Sequence, residues 1–272
     1  MDVSTIVVTF PGHHLIPLAW ILTRFPRKKL IFDVFISVSD TLVSDRRKFS
    51  WWNPVAWFLY LVDFVSCHLA DEILIDTKAH GQFFTRRFLL KPSRVRVVYL
   101  EARKDLFFPS SNPPAHRSLD EGGSPNCEVF FYGSYIPLQG IEYILGAAKI
   151  LESNNSIHFT LVGSGQTYPE MRKKAEELNL SNVTFKKFVP LEDLPDLIRN
   201  SDVCLGIFGI GGKTQRVIPH KVYDAVACGI PVITADTPAI HEKFTDGKEV
   251  ILCRAGDSED LAEKIRTAST VC

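Results

Sequence analysis

Two hydrophobic periods alternate along this chain. Short apolar runs at 4–10, 30–35, 72–76 and 94–100 read as strands of the buried, parallel type. Between them Leu15, Leu18, Ala19 and Leu22 recur at helical spacing, and 78–88 reads as another helix. Further on, strands are expected at 129–132, 157–162, 183–185, 203–208, 232–234 and 250–253. Ile141, Ile144, Leu145, Ala148 and Leu151 mark one intervening helix face, with more helices at 171–178 and 194–198. Strands alternating with helices imply parallel sheets covered on both sides. The expected fold class is α/β, two Rossmann-like domains. Residues 109–126 are dense in proline, glycine and serine and read as a linker, leaving domains at 1–108 and 127–272.

Composition narrows the function. The 272 residues carry 31 lysines and arginines against 31 aspartates and glutamates, which argues against a general nucleic-acid binder. Six cysteines lie at 67, 127, 204, 228, 253 and 272 without a CxxC pair. Cys204, Cys228 and Cys253 read as small buried residues, and a reducing, cytoplasmic setting is expected. No secretory signal is visible. The apolar stretch 51–70 is interrupted by Asp63 and His68 and does not read as a spanning helix. Arg46, Arg47 and Lys48 precede Phe49, Trp51, Trp52, Trp57, Phe58 and Tyr60. That pattern fits either peripheral contact at the inner face of a membrane or a helix packed against its own sheet. We read it as packed, with a minority of its rings exposed.

The stretch 209–243 carries the most chemistry. It reads as loop, helix, tight turn, buried strand and loop, with Pro219 in the first helical turn and Gly229 ending the helix. Lys221 and Asp224 then stand near the helix N-terminus, where Lys221 suits a phosphate and Asp224 can accept from sugar hydroxyls. Gly133-Ser134 and Gly163-Ser164-Gly165 follow strands, and backbone N–H groups at such turns can cradle phosphate. Their spacing is not GxGxxG, which disfavours a dinucleotide. In the first domain, His13, His14, Asp33 and Asp40 sit at expected carboxyl ends of strands, where ligands of doubly wound folds bind. An ordinary strand–helix–strand unit with solvated charges fits the same residues.

The order of residues adds a resemblance. The segment KVYDAVACGIPVITADTPAIHEKF resembles the donor-site signature of family 4 glycosyltransferases, retaining GT-B enzymes with two facing Rossmann-like domains. FYGSYIPLQGIEYILGAAKIL, LVGSGQ and FKKFVPLEDLPDLIRNSDVCLGIF resemble its other donor-side segments. The likeness is strongest after Glu128 and looser before it. It implies a nucleotide-sugar donor as substrate, no metal and no further cofactor. It implies that the backbone around Phe188 and Val189 meets the base, and that Lys213 and Lys221 meet the diphosphate. Two positions depart from the pattern. Gln139 stands where a basic residue is common, and Arg216 stands where the first of two paired acids is expected, Asp224 being the second. Against that family the first domain also lacks its opening strand and glycine-rich loop, and the C-terminus lacks the crossing helix, so a truncated or reduced chain is implied.

The leading expectation is a retaining glycosyltransferase acting on a glycan or lipid-linked glycan. Its donor-binding residues would be Gly133, Ser134, Gln139, Gly163, Phe188, Val189, Lys213, Lys221 and Asp224. His13, His14, Asp33 and Asp40 are the acceptor-side candidates. A catalytically impaired module that binds nucleotide without transferring sugar is the second reading, favoured by Gln139, Arg216 and the missing loop. A sugar-nucleotide epimerase of the same shape is the third.

Overall fold

The computed structural model describes residues 4–110, 127–154 and 156–269. Most of the expected linker, from 111 to 126, and Cys272 lie outside the described residues. The chain forms two units. One holds residues 1–99 together with 211–218; the other holds 100–210 and 219–272.

The first unit is a four-stranded parallel sheet in the order β1 (Thr5–Thr9), β2 (Lys29–Asp33), β3 (Glu72–Ile75) and β4 (Val95–Val97). Crossover connections carry α1 (Ile16–Leu22), α2 (Pro54–Leu69) and α3 (Lys78–Arg87). Asn53 starts α2 by accepting from the Val55 N–H at 2.9 Å, and Pro54 needs no partner in that first turn. Thr77 caps α3 by accepting from the His80 N–H at 3.0 Å. The core is aliphatic and aromatic, with Ile16, Leu30, Phe32, Ile73, Phe84 and Phe88 fully enclosed.

One expectation fails here. Three of the five rings between 51 and 60 face solvent: Trp52 is 95 % exposed, Trp57 61 % and Phe58 64 %. Helix α2 turns its small and polar positions inward instead, burying Ala56, Asp63, Ser66 and Cys67. On that inward face the Asp63 carboxylate meets donors from Ser37, Val38 and Ser39, which offset the cost of burying it.

The second unit is a six-stranded parallel sheet: β5 (Cys127–Tyr132), β6 (Ile157–Val162), β7 (Val183–Lys186), β8 (Val203–Leu205), β9 (Val232–Ala235) and β10 (Ile251–Cys253). Its spatial order is β10-β9-β8-β5-β6-β7. Helices α4 (Ile141–Leu151), α5 (Tyr168–Glu177), α6 (Leu194–Arg199), α7 (His220–Ala227) and α8 (Ser258–Ser269) connect and cover it. Strand β8 stops at Leu205, three residues short of the sequence reading, and Pro219 precedes α7 rather than opening it. Helix α8 escaped the sequence reading. Its signals are Leu261, Ala262, Ile265 and Ala268 on one buried face, and Asp257, which accepts from the N–H groups of Glu259 and Asp260. The five described cysteines are free and buried.

Candidate functional site

Strand order in the second unit reverses between β5 and β8. In a doubly wound sheet the crevice outside the carboxyl ends of two such strands is the place where a ligand fits. Backbone closeness shapes this crevice. After β5 the chain makes the turn Pro137–Gln139, and the segment after β8 lies against it. Phe208 N–H donates to the Gln139 carbonyl at 3.0 Å, and Gly209 N–H to the Leu138 carbonyl at 3.3 Å. Gly140 adopts φ +66°, and a Cβ there would lie 2.5 Å from the Gly209 nitrogen. At Gly163, with φ +138°, a Cβ would stand 1.9 Å from the Gly133 carbonyl oxygen. Any side chain there would force the ends of β5 and β6 apart.

Lys221 occupies this crevice from the first turn of α7. Its side chain is buried, and Nζ donates to Gln139 Oε1 at 2.6 Å and lies 3.8 Å from the centre of the Phe131 ring. Among the described residues no carboxylate pairs with it. Burial therefore pushes its pKa well below that of an ordinary lysine. One turn on, Asp224 Oδ2 accepts from the Tyr132 hydroxyl at 2.7 Å. Burial raises the Asp224 carboxyl, with the Tyr132 bond acting in the opposite sense. Burial and the neighbouring Asp224 push the Tyr132 hydroxyl well up in turn. The arrangement offers an anion one unpaired cation, a helix N-terminus and a glycine turn.

The structure thus gathers Gly133, Gly163, Gln139, Lys221 and Asp224. Ser134 is exposed in the same turn. Phe188 and Val189 follow β7, two strands from β5, and Phe188 is 81 % exposed. Gln139 takes a part that the sequence did not suggest. Lacking a charge of its own, it holds the lysine that has one.

Lys213 is not gathered with them. Residues 211–218 group with the first unit. Lys213 Nζ donates to Thr41 Oγ1 at 2.9 Å and lies 3.9 Å from Asp45. Burial lowers its pKa, with Asp45 and Asp40 opposing. Arg216 pairs with Asp40 at 2.7 Å, lies 3.8 Å over the Phe83 ring, and accepts at its carbonyl from the Thr77 hydroxyl. Lys213, Arg216 and Phe83 line a cavity of about 250 Å³ with Trp51, Arg87 and, from the π-helical turn Asp40–Asp45, Asp40, Ser44 and Asp45.

The other first-unit candidates separate. His14 is exposed, whereas His13 is buried with Nε2 3.2 Å from Asp63 Oδ1. Asp33 ends β2, and burial followed by the charge of Asp76 raises its pKa. Sequence reading missed Asp63, Asp76, His80 and Tyr132. Asp76 and His80 meet at 2.7 Å, and their i,i+4 spacing across the Thr77 cap was the available signal. Asp63 gave none, because its partners lie 24 to 26 residues away in the segment 37–39.

Residues 126–270 match the family described as Glycosyl transferases group 1. A chitobiosyldiphosphodolichol beta-mannosyltransferase of Kluyveromyces lactis is 22 % identical over 88 % of this chain and 60 % of its own length. A D-inositol 3-phosphate glycosyltransferase of Kribbella flavida is 25 % identical over 74 % of this chain and 49 % of its own. The chain therefore spans about half to 60 % of these curated relatives. Anabaena HepE, solved in complex with UDP-glucose, superposes with a TM-score of 0.73 at 19 % identity, over 97 % of this chain and 68 % of its own. Sucrose-phosphate synthase from Thermosynechococcus elongatus gives 0.75 at 18 %, over 98 % and 64 %. At those identities the two structures speak for the fold: paired Rossmann-like α/β units of the GT-B kind.

Proposed function

This chain belongs to the group 1 glycosyltransferases, and we propose that it binds a nucleoside diphosphate sugar at the β5–β8 crevice and passes the sugar to an acceptor. The observation that carries the reading is Lys221, a cation buried at a helix N-terminus beside a glycine turn and without a counter-ion. A buried charge left in that state is costly unless a ligand completes it. A diphosphate does so, with the α7 N-terminus and the turn at Gly133 adding N–H donors. Lys221 then stabilises the leaving diphosphate without a metal. Asp224 and Tyr132 face hydroxyls of the ribose or the sugar. The exposed ring of Phe188 and the backbone at Val189 receive the base. The sugar keeps its anomeric configuration, and the acceptor is a glycan or lipid-linked glycan; the latter is supported by relatives named for a dolichol-linked acceptor. Free, buried cysteines support a cytoplasmic setting.

Titration calorimetry with UDP and GDP, set beside uridine and guanosine, tests the site. Lys221→Ala is expected to weaken the diphosphates by roughly 1.5–3 kcal/mol and the nucleosides hardly at all. Equal losses for both would overturn the reading. NMR of the product tests retention.

Arg216 favours a second reading, binding without transfer. It stands where the resemblance expects an acid, and its guanidinium is held by Asp40 and Phe83. Measuring turnover beside binding separates the two.

A further inference from the structure

The first unit carries an exposed apolar face that glycosyl transfer does not use. On α2, Val55, Phe58, Leu61 and Val65 follow one another at three- and four-residue spacing, and all are exposed. On α1 and the turn after it, Leu18, Ile21, Leu22 and Phe25 do the same, with Phe25 93 % exposed. The two helices pack against each other. Soluble monomers seldom leave two adjoining helices apolar on their outer side.

The exposed charges of this unit are predominantly basic, with Asp71 following directly on α2. Helix α1 has no charged residue, and the single acid of α2, Asp63, is fully buried. Arg47 and Lys48 lie exposed in the loop entering α2. Arg87 stacks on Trp51 at 4.6 Å and on Tyr60 at 4.9 Å. Arg24 stacks on Trp20 at the end of α1. Among the described residues of this unit, nine lysines and arginines are exposed against one acid, Asp71. The balance for the whole chain is neutral, so the excess is local.

We propose that α1 and α2 form a docking face for an anionic lipid bilayer. Aliphatic side chains and Phe58 enter the boundary between headgroups and acyl chains. Trp52 and Trp57 sit at headgroup level, and the basic rim meets lipid phosphates. Charge is what selects this occupant over a second copy of the chain. Two such faces brought together would oppose basic rim to basic rim, whereas an anionic surface complements it.

Co-sedimentation of the 272-residue chain with vesicles tests the proposal. Binding is expected to phosphatidylcholine vesicles containing phosphatidylserine, to fall with added salt, and to be weak with phosphatidylcholine alone. The pair Trp52→Ser/Phe58→Ser and the pair Arg47→Glu/Lys48→Glu should each weaken it about tenfold or more. Both pairs are at exposed positions, and an unchanged melting temperature and unchanged nucleotide binding would verify that each folds. Absent binding, or binding that neither pair alters, would overturn the proposal. A dimer in solution that Trp52→Ser/Phe58→Ser dissolves would overturn it in favour of a second copy.

Discussion

The two units bury charge in opposite ways. In the first, the buried ions described above stand in pairs, Arg216 with Asp40, Lys213 near Asp45, His13 beside Asp63 and His80 with Asp76, and Asp33 faces only the like charge of Asp76. In the second, Lys221 is buried with only an amide oxygen and an aromatic face. A paired charge inside a protein is a structural device, and removing one partner is what does the damage. An unpaired one weakens the fold unless something arrives to complete it. The difference gives the first set an architectural part and is the reason we propose ligand binding at Lys221.

The sharpest way to break that comparison is at Asp63. Its carboxylate accepts from Ser37 Oγ at 2.7 Å, Ser39 Oγ at 2.6 Å, Ser39 N–H at 2.8 Å and Val38 N–H at 2.9 Å. Burial alone would raise its pKa, but the contacts from His13, Ser39 and Ser37 outweigh it and hold the carboxyl below its ordinary range. Asp63→Leu strands these donors and is expected to cost about 3–5 kcal/mol in urea unfolding. The sign of the pH dependence follows. A depressed folded pKa gives stability that is full above the ordinary carboxylate pKa and fades as pH falls through the depressed value. The variant should lack that acid-side loss. A cost below about 1 kcal/mol would leave Asp63 with no architectural part.

Gly163 tests the second unit's reliance on close backbone approach. Gly163→Ala introduces a Cβ against the Gly133 carbonyl at a positive φ and is expected to cost about 2–4 kcal/mol. Diphosphate affinity should fall with it, read by calorimetry at a temperature where the variant remains folded. Intact affinity would show that the β5–β6 ends do not shape the site.

The smallest effect has the most informative sign. Lys221→Met should stabilise the unliganded protein by about 1 kcal/mol or more while removing the diphosphate contribution. Because the Lys221 pKa is depressed on folding, the unfolded chain binds more protons between the folded value and the ordinary lysine value. Stability of the native chain therefore rises with pH across that window. Diphosphate affinity should fall across it, since the ligand needs the charged form. A Lys221→Met protein less stable than the native chain would place Lys221 with the architectural ions.

What the sequence revealed followed from range. Gly229, Lys221 and Asp224 belong to one local unit, where cap, helix and strand signals lie within thirty residues, and the succession of strands along the chain was legible for the same reason. The partners of Lys221 were not, because Gln139 comes from 82 positions upstream. Asp63 could be seen only as a break in an apolar run, although it is the acid around which 37–39 is folded. That reversal also explains the exposed rings of α2. Helical periodicity fixes that a face exists, but the face that turned inward is the one that carries the buried carboxylate. Lys213 and Arg216 stand only eight and five residues before Lys221, yet they group with the other unit, which no local pattern signals.

The reversed strand order has a consequence in time. Strand β5 is central, yet β8, its neighbour on one side, arrives late: Glu128 N–H is satisfied by Asp202, 74 residues further along the chain. Synthesis of that interval takes roughly 4–15 s at common elongation rates. Through it β5, Cys127–Tyr132, keeps one edge open while β6 and then β7 are added on its other side. The edge that waits longest for its partner is the one beside which the crevice around Lys221 later opens. Docking of β8 closes the longest sequence interval between paired strands of this sheet.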